Sequence, residues 1–213
     1  MAIIDDISTA VQAGKKKDVE ALVQQALDEG LTAQQILGGG LLAAMDIIGP
    51  KFKNNEVFVP EVLVAARAMN AGTALLKPYL AEEGGEPLGK ALIGTVKGDM
   101  HDIGKNLVRM MIEGKGIEVE DLGVDVPVET FVSYVQEHEE LDLVCFSALL
   151  TTTLPALKEA VMAIKEAGLG DRVKILVGGA PVTQEYADEI GADGYAPDAG
   201  SAAAVAAELI TAQ

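Results

Sequence analysis

The chain is organised around residues 91–104, where a short apolar run leads into a polar motif: Ala91-Leu92-Ile93-Gly94-Thr95-Val96-Lys97-Gly98-Asp99-Met100-His101-Asp102-Ile103-Gly104. The apolar run is typical of a buried strand, and helical spacing begins near Gly104. Ligands of open α/β sheets bind where a strand ends and a helix begins. His101, flanked by Asp99 and Asp102, is therefore a candidate metal ligand at that edge.

Short apolar runs alternate with helical segments throughout the second half of the chain. This alternation is typical of a parallel sheet with helices on both faces. We predict strands at 91–96, 117–122, 141–147, 173–178 and 193–196, and helices at 104–115, 128–138, 154–168, 183–190 and 200–211. The predicted fold class is α/β, with a flavodoxin-like (Rossmann-like), doubly wound parallel five-stranded sheet. In a 2-1-3-4-5 strand order, the loops after the first, third and fourth strands would meet at one edge.

The N-terminal part shows apolar positions at helical spacing, interrupted by turn residues. The predicted helices are one ending at Gly14, one ending at Gly30, one from the Thr32–Gln35 capping-box pattern to Gly49-Pro50, and one over 60–76. Such helices with short connections favour an antiparallel four-helix bundle. The triplet Gly38-Gly39-Gly40 indicates close approach of another backbone or of a ligand.

A domain boundary is predicted at Glu82–Leu88, where charged residues, glycines and a proline occur without periodicity. A chain of 213 residues is long enough for two small domains. We therefore expect a helical domain over residues 1–84 and a sheet domain over residues 89–213.

The composition excludes several classes of protein. The chain has 16 Lys and Arg against 33 Asp and Glu, a net charge of −17, which disfavours nucleic acid and favours a protein partner with a basic docking face. Cys145 is the single cysteine, so neither an internal disulfide nor a cysteine metal cluster can form. The acidic N-terminus and the lack of a long apolar run predict a cytoplasmic protein without a membrane span.

Three segments of the predicted sheet domain would converge on one crevice. Ser147-Ala148-Leu149 and Gly178-Gly179 follow strands, as His101 does, and their small residues would leave a slot. Each glycine alone could serve only to make a turn. Asp99 is a candidate to hydrogen bond one imidazole nitrogen while the other binds a metal. One histidine is too few for zinc, which needs about three or four protein ligands, but it suits a metal held by a macrocycle.

These residues resemble the cobalamin-binding corrinoid proteins of methyltransferase systems, which are related to the cobalamin module of methionine synthase. The family pattern Asp-x-His-x-x-Gly matches Asp99–Gly104, Ser-x-Leu matches Ser147–Leu149, and the glycine pair matches Gly178-Gly179. Thr151 lies where the family tends to place a threonine. The N-terminal half also resembles the family's cap region, in which Phe52 and Val59 would shield the upper face of the cofactor.

The resemblance implies a cobalamin cofactor, as methylcobalamin or a related corrinoid, with His101 as its lower axial ligand. Asp99 would hydrogen bond His101, and Ser147 would extend this relay. The nucleotide tail would enter the slot beside Leu149 and the glycine pair. The cofactor contacts implied by the resemblance are Gly98, Asp99, Met100, His101, Asp102, Ile103, Gly104, Ser147, Leu149, Thr151, Gly178, Gly179, Phe52 and Val59.

The implied function is that of a corrinoid methyl carrier, a component of a multi-protein methyltransferase rather than a complete enzyme. Cobalt(I) would accept a methyl group on a donor-specific methyltransferase and deliver it on a second methyltransferase with a folate or thiol acceptor. A reductive activation protein is a further expected partner. The alternatives are a cobalamin-binding subunit of an adenosylcobalamin isomerase, a cobalamin sensor module, or a flavodoxin-like fold without a corrinoid.

Overall fold

The computed structural model describes residues 2–83 and 86–212. The chain divides into two compact units, one comprising Met1–Pro87 with Gly114–Gly116 and the other Leu88–Glu113 with Ile117–Gln213. Part of the predicted linker is wrong, because Glu82 and Glu83 complete a helix. Gly84 and Gly85, also assigned to that linker, lie outside the described residues. The domain boundaries at residues 84 and 89 stay a prediction.

The N-terminal unit is helical, as the sequence predicts. Its elements are α1 (Ala2–Gln12), α2 (Lys16–Asp28), α3 (Ala33–Ile36), a π-helical turn (Leu37–Leu42), α4 (Ala43–Lys53) and α5 (Val59–Glu83). The capping box is confirmed, because the Thr32 hydroxyl accepts from the Gln35 N–H and the Gln35 side chain accepts from the Thr32 N–H, both at 3.1 Å. The buried side chains of this unit include Ile7, Val23 and Leu41.

The third predicted helix differs from the structure in two respects. Pro50 does not end it, because α4 continues to Lys53; proline fixes a φ that helices tolerate, and its carbonyl accepts from the Asn54 N–H at 2.9 Å. The glycine triplet lies in the π-helical turn. A Cβ on Gly40 would lie 2.9 Å from Ile7 Cγ2, so the glycine permits the close approach of α1.

The C-terminal unit confirms the predicted sheet. Its strands are β1 (Gly89–Thr95), β2 (Ile117–Asp121), β3 (Leu143–Ser147), β4 (Lys174–Gly178) and β5 (Gly194–Ala196). In the described part of the chain they pair in parallel, in the order β2-β1-β3-β4-β5. The helices are α6 (Ile103–Glu113), α7 (Val128–Glu137), α8 (Leu154–Glu166), α9 (Gln184–Ile190) and α10 (Ala199–Thr211).

The register of the sheet brings three loops to one edge. Thr95 pairs with Ser147, and Ser147 pairs with Gly178, so β1, β3 and β4 end at the same level. The core beneath them is apolar, with Leu92, Phe131 and Leu157 buried. Residues that follow these strands are therefore neighbours, although they are far apart in sequence.

The structure also bears on the predictions for the single cysteine and for a membrane span. Cys145 is buried in β3, and burial raises the pKa of its thiol to about 12, so it is unreactive at neutral pH. Across residues 2–83 and 86–212, none of the helices has both the length and the apolar character that a membrane crossing requires.

Candidate functional site

The centre of the site is Asp99, which is fully buried in the loop after β1. Its Oδ2 accepts from the backbone N–H of Leu149 at 2.7 Å, from the N–H of Leu150 at 3.3 Å and from the hydroxyl of Thr153 at 3.0 Å. Its Oδ1 accepts from the N–H of His101 at 3.1 Å and lies 2.7 Å from His101 Nδ1. A buried carboxylate with donors on both oxygens is one that the fold keeps charged.

These donors decide the ionisation of Asp99. Burial alone would raise the pKa of the carboxyl group. The hydrogen bonds from the Leu149 N–H, from the His101 side chain and backbone, and from the Thr153 hydroxyl outweigh burial, and they lower the pKa from 3.8 to about 2. Asp99 is therefore an anion at neutral pH, and an acceptor for the imidazole.

His101 presents its other ring nitrogen outward. Its side chain is 50% exposed, although its partner Asp99 is buried. Because an ionised Asp99 can only accept, Nδ1 carries the proton and donates, which leaves the Nε2 lone pair available to a metal. The buried Thr95 hydroxyl donates to the His101 carbonyl at 2.9 Å and fixes the backbone of the ligand residue. The arrangement suits an imidazole with one defined tautomer and one free nitrogen.

The hydroxyl that contacts Asp99 is that of Thr153, which is not among the site residues that the sequence predicts. The relay was predicted to continue through Ser147, but in the described residues Ser147 makes no side-chain hydrogen bond to Asp99. A short 3₁₀ helix, Thr151–Thr153, turns Thr153 inward and leaves Thr151 exposed. The only sequence signal was the run of three threonines in a loop that was already predicted to converge on the site.

The loop after β4 is shaped by the absence of side chains. Gly179 has φ +131°, and a Cβ there would lie 1.8 Å from the Ala148 carbonyl oxygen. A Cβ on Gly178 would lie 3.1 Å from the Ala196 carbonyl oxygen. The Ala148 N–H donates to the Gly178 carbonyl at 3.1 Å. Gly179 therefore lets the backbone after β4 contact the backbone after β3, and Gly178 lets β4 lie close to the Ala196 backbone of β5.

Exposed apolar side chains occur in the His101 motif and in the loop after β3. Met100 is 68% exposed and Ile103 is 77% exposed, and Leu149 and Leu150 are each 40% exposed. Exposure of this kind, next to a polar centre, marks a ligand-binding surface. A Cβ on Gly104 would meet no protein atom within 4 Å, so the fold itself does not require a glycine there.

The remaining predicted residues lie as follows. Gly98 and Asp102 flank the core of the motif, and Gly98 has φ +83°. Phe52 lies in α4 and Val59 begins α5, both partly buried in the helical unit, and their role in a cap stays a prediction. The second histidine, His138, follows α7 and stacks on Tyr134 at 3.9 Å, away from the motif in the sequence.

The donor set fits a metal that already has most of its ligands. Within the described ranges, no group of three or more His, Cys, Asp or Glu could hold a bare ion. His101 offers a single nitrogen, and the carboxylate nearest to it is occupied by its own donors. A single imidazole, with exposed apolar side chains and an open glycine in the same motif, fits a metal whose other ligands come from a macrocycle such as a corrin ring.

Comparison with known proteins agrees with this chemistry. Residues 89–204 match the B12 binding domain, and residues 3–77 match a second B12 binding domain. The chain is 44% identical to the dimethylamine corrinoid protein of Methanosarcina barkeri, over 98% of this chain and 97% of that protein.

Solved structures agree as well. A cobalamin-binding protein from Desulfitobacterium hafniense DCB-2 superposes with a TM-score of 0.80 and 30% identity, over 97% of this chain and 98% of that chain. The methanol:cobalamin methyltransferase complex MtaBC from Methanosarcina barkeri superposes with a TM-score of 0.85 and 29% identity, over 100% of this chain and 81% of that chain. The cofactor of this protein is cobalamin or a related corrinoid. The chain belongs to the family of cobalamin-binding corrinoid proteins of methyltransferase systems.

Proposed function

We propose that this corrinoid protein carries a methyl group between two methyltransferases and that His101 is the lower axial ligand of its cobalt. The observation that carries the proposal is the half-exposed imidazole of His101, whose Nδ1 is 2.7 Å from the buried Asp99 carboxylate. This contact leaves Nε2 as the one ring nitrogen free to bind a metal. The corrinoid, when bound, supplies the cobalt centre that takes up and releases the methyl group.

In this proposal the protein controls the protonation and orientation of one imidazole, that of His101. Asp99 keeps the proton on Nδ1 and orients the ring, and the Leu149 N–H and the Thr153 hydroxyl keep Asp99 ionised. Nε2 of His101 would hold either the metal or a proton, and the adjacent Asp99 anion would stabilise the protonated imidazole. Ligation and release of His101 are therefore coupled to protonation at Nε2.

Other residues of the sheet edge would hold the rest of the cofactor. Exposed Met100 and Ile103 offer apolar contact to the ring, and the nucleotide tail would lie beside the residues that follow β3 and β4. The residues assigned to binding are Gly98, Asp99, Met100, His101, Asp102, Ile103, Gly104, Ser147, Leu149, Thr151, Gly178 and Gly179. Phe52 and Val59 of the helical unit are assigned to shielding of the upper face.

The partners are two methyltransferases. A donor-specific enzyme would supply the methyl group and a second enzyme would pass it to a folate or thiol acceptor, with a reductive activation protein restoring the low-valent cobalt. The net charge of −17 suits partners with basic docking faces. The names of the similar proteins support dimethylamine and methanol as the first donors to test.

The test is reconstitution with hydroxocobalamin followed by reduction and addition of a donor methyltransferase with dimethylamine or methanol. We expect methylation of the bound corrinoid, seen in its absorption spectrum, and transfer to an acceptor when the second enzyme is added. His101→Ala should bind the corrinoid with an altered spectrum, and the control His138→Ala should match the wild type. Absence of methyl transfer with every donor would overturn the carrier function, and an unaltered His101→Ala spectrum would overturn the ligand assignment.

A further inference from the structure

Asp125 has a left-handed backbone, which is uncommon outside glycine. It lies between β2 and α7 with φ +53°, and in the described ranges Asn55 is the one other non-glycine residue with a positive φ. The left-handed region costs an ordinary residue about 1 kcal/mol or more. The side chain of Asp125 is exposed, so burial does not explain why an aspartate occupies this position. Its hydrogen bonds do.

Both polar groups of Asp125 bind the loop that carries His101. The Asp125 carboxylate Oδ1 accepts from the Gly98 N–H at 2.7 Å. The Asp125 N–H donates to the Asp99 carbonyl at 2.9 Å. The two bonds attach the Gly98–Asp99 segment to the loop after β2. Gly98 itself has φ +83°, so the turn that they hold is tight.

The surrounding backbone makes this attachment rigid. The Thr95 N–H donates to the Gly123 carbonyl, and the Val126 N–H donates to the Thr95 carbonyl, both at 3.0 Å. The backbone on both sides of Asp125 is therefore attached to the end of β1.

Asp99 is consequently held from two directions. Its carboxylate is held from the loop after β3, by Leu149 and Thr153, and its backbone is held from the loop after β2, by Asp125. Because Asp99 makes two hydrogen bonds to His101, a shift of the Asp99 backbone would change the direction in which the imidazole points. Groups that orient a metal-binding histidine contribute strongly to ligation.

We propose that Asp125 is a positioning residue for the cobalt ligand His101, acting through the backbone of Gly98 and Asp99. The inference rests on the proposed ligation of cobalt by His101. It assigns a ligand-orienting role to a residue that, among the described residues, makes no hydrogen bond to the imidazole or to any other side chain of the motif. The left-handed backbone is explained by the need to present the carboxylate and the N–H to the same loop.

The test compares Asp125→Gly with Asp125→Asn. Glycine relieves the left-handed backbone but removes the acceptor for the Gly98 N–H, whereas asparagine tolerates the backbone and keeps an acceptor oxygen. Proteins loaded with hydroxocobalamin are reduced to the cobalt(II) state, and the ratio of histidine-ligated to unligated form is measured by electron paramagnetic resonance. We expect about a 10-fold fall in that ratio for Asp125→Gly and a near-normal ratio for Asp125→Asn.

Stability is measured in parallel, since a structural role alone would lower ligation only by unfolding the protein. We expect Asp125→Gly to unfold close to the wild-type urea midpoint, because relief of the backbone offsets the lost hydrogen bond. Asn55→Gly, at the other left-handed position, is the matched control and should leave the ratio unchanged. A wild-type ratio in Asp125→Gly, or a fall that matches its unfolded fraction, would overturn the inference. An unaltered His101→Ala spectrum would instead overturn the underlying ligation.

Discussion

The loops after β1 and β4 meet at the same sheet edge but are built on opposite principles. The first is held by attraction, with a buried Asp99 surrounded by donors from His101, Leu149 and Thr153. The loop after β4 depends instead on close backbone packing, since a Cβ on Gly179 would collide with the Ala148 carbonyl. Changes in the first loop should have graded effects, because donors can be lost singly. A single added side chain at Gly179, in the loop after β4, should lower the stability of the protein strongly.

Gly179→Ala should have the largest effect on stability. The added Cβ would lie 1.8 Å from a backbone oxygen, and φ +131° is strained for any side chain. We expect a loss of about 3 kcal/mol or more in the free energy of unfolding. Gly168→Ala is the control, because Gly168 has φ +73° but no atom within 4 Å of its Cβ position, and it should cost about 1 kcal/mol. Equal costs in a urea titration would contradict the steric account.

The charge of Asp99 predicts a pH dependence of stability. Its folded-state pKa of about 2 is below the ordinary 3.8, so the carboxylate stabilises the protein above pH 4 and this contribution is lost as the pH falls toward 2. The shift corresponds to about 2 kcal/mol. Urea unfolding of wild type and Asp99→Asn should give a free-energy difference that shrinks by this amount across that window. A difference that is constant with pH would show that Asp99 is not the group responsible.

Thr153→Val should have a smaller effect within the same loop. It removes, at similar volume, a hydroxyl whose one proton is shared between the buried Asp99 carboxylate and the Leu150 carbonyl, and it should cost about 1.5 kcal/mol. Thr153→Ser keeps the hydroxyl and should recover most of this loss. The exposed Thr151→Val should change stability by less than about 0.5 kcal/mol. If Thr153→Val and Thr151→Val unfold at the same urea concentration, the hydroxyl does not support Asp99.

Gly104→Ala should have the smallest effect on folding. This variant tests whether Gly104 serves cofactor binding and not the fold. Its Cβ would meet nothing within 4 Å, and it lies in the first turn of α6. We expect the cofactor-free protein to unfold within about 0.5 kcal/mol of the wild type. We expect cobalamin affinity, measured by titration, to fall because the methyl group occupies space assigned to the cofactor. Unchanged affinity would remove Gly104 from the binding surface.

The sequence predicted the sheet and the position of His101 because both depend on local patterns. Apolar runs define the strands, and a strand end followed by a helix defines the ligand edge. The sequence could not show that Thr153, and not Ser147, contacts Asp99, because the choice depends on a short 3₁₀ helix. The sequence also could not show that α4 continues past Pro50 to Lys53. The first outcome depends on contacts between segments distant in sequence, whereas the second reflects a backbone conformation that proline and a helix share.

The role of Asp125 also could not be predicted from the sequence. Aspartate is one of the few non-glycine residues that adopt a left-handed backbone, but the sequence around Asp125 does not show which partners hold it there. Its conformation follows from partners 26 and 27 positions away in the chain, the Asp99 carbonyl and the Gly98 N–H. Residues that orient a ligand through the backbone of another loop are therefore visible only in the folded structure.

The most direct test of the central claim is to identify the nitrogen that binds the cobalt. Protein labelled with the heavy nitrogen isotope in histidine only would be loaded with hydroxocobalamin and reduced to the cobalt(II) state. The account predicts that the nitrogen splitting in the electron paramagnetic resonance spectrum changes from a triplet to a doublet, in wild type and in His138→Ala. A triplet that persists after labelling would show that the cofactor's own base remains bound and that His101 is not the ligand.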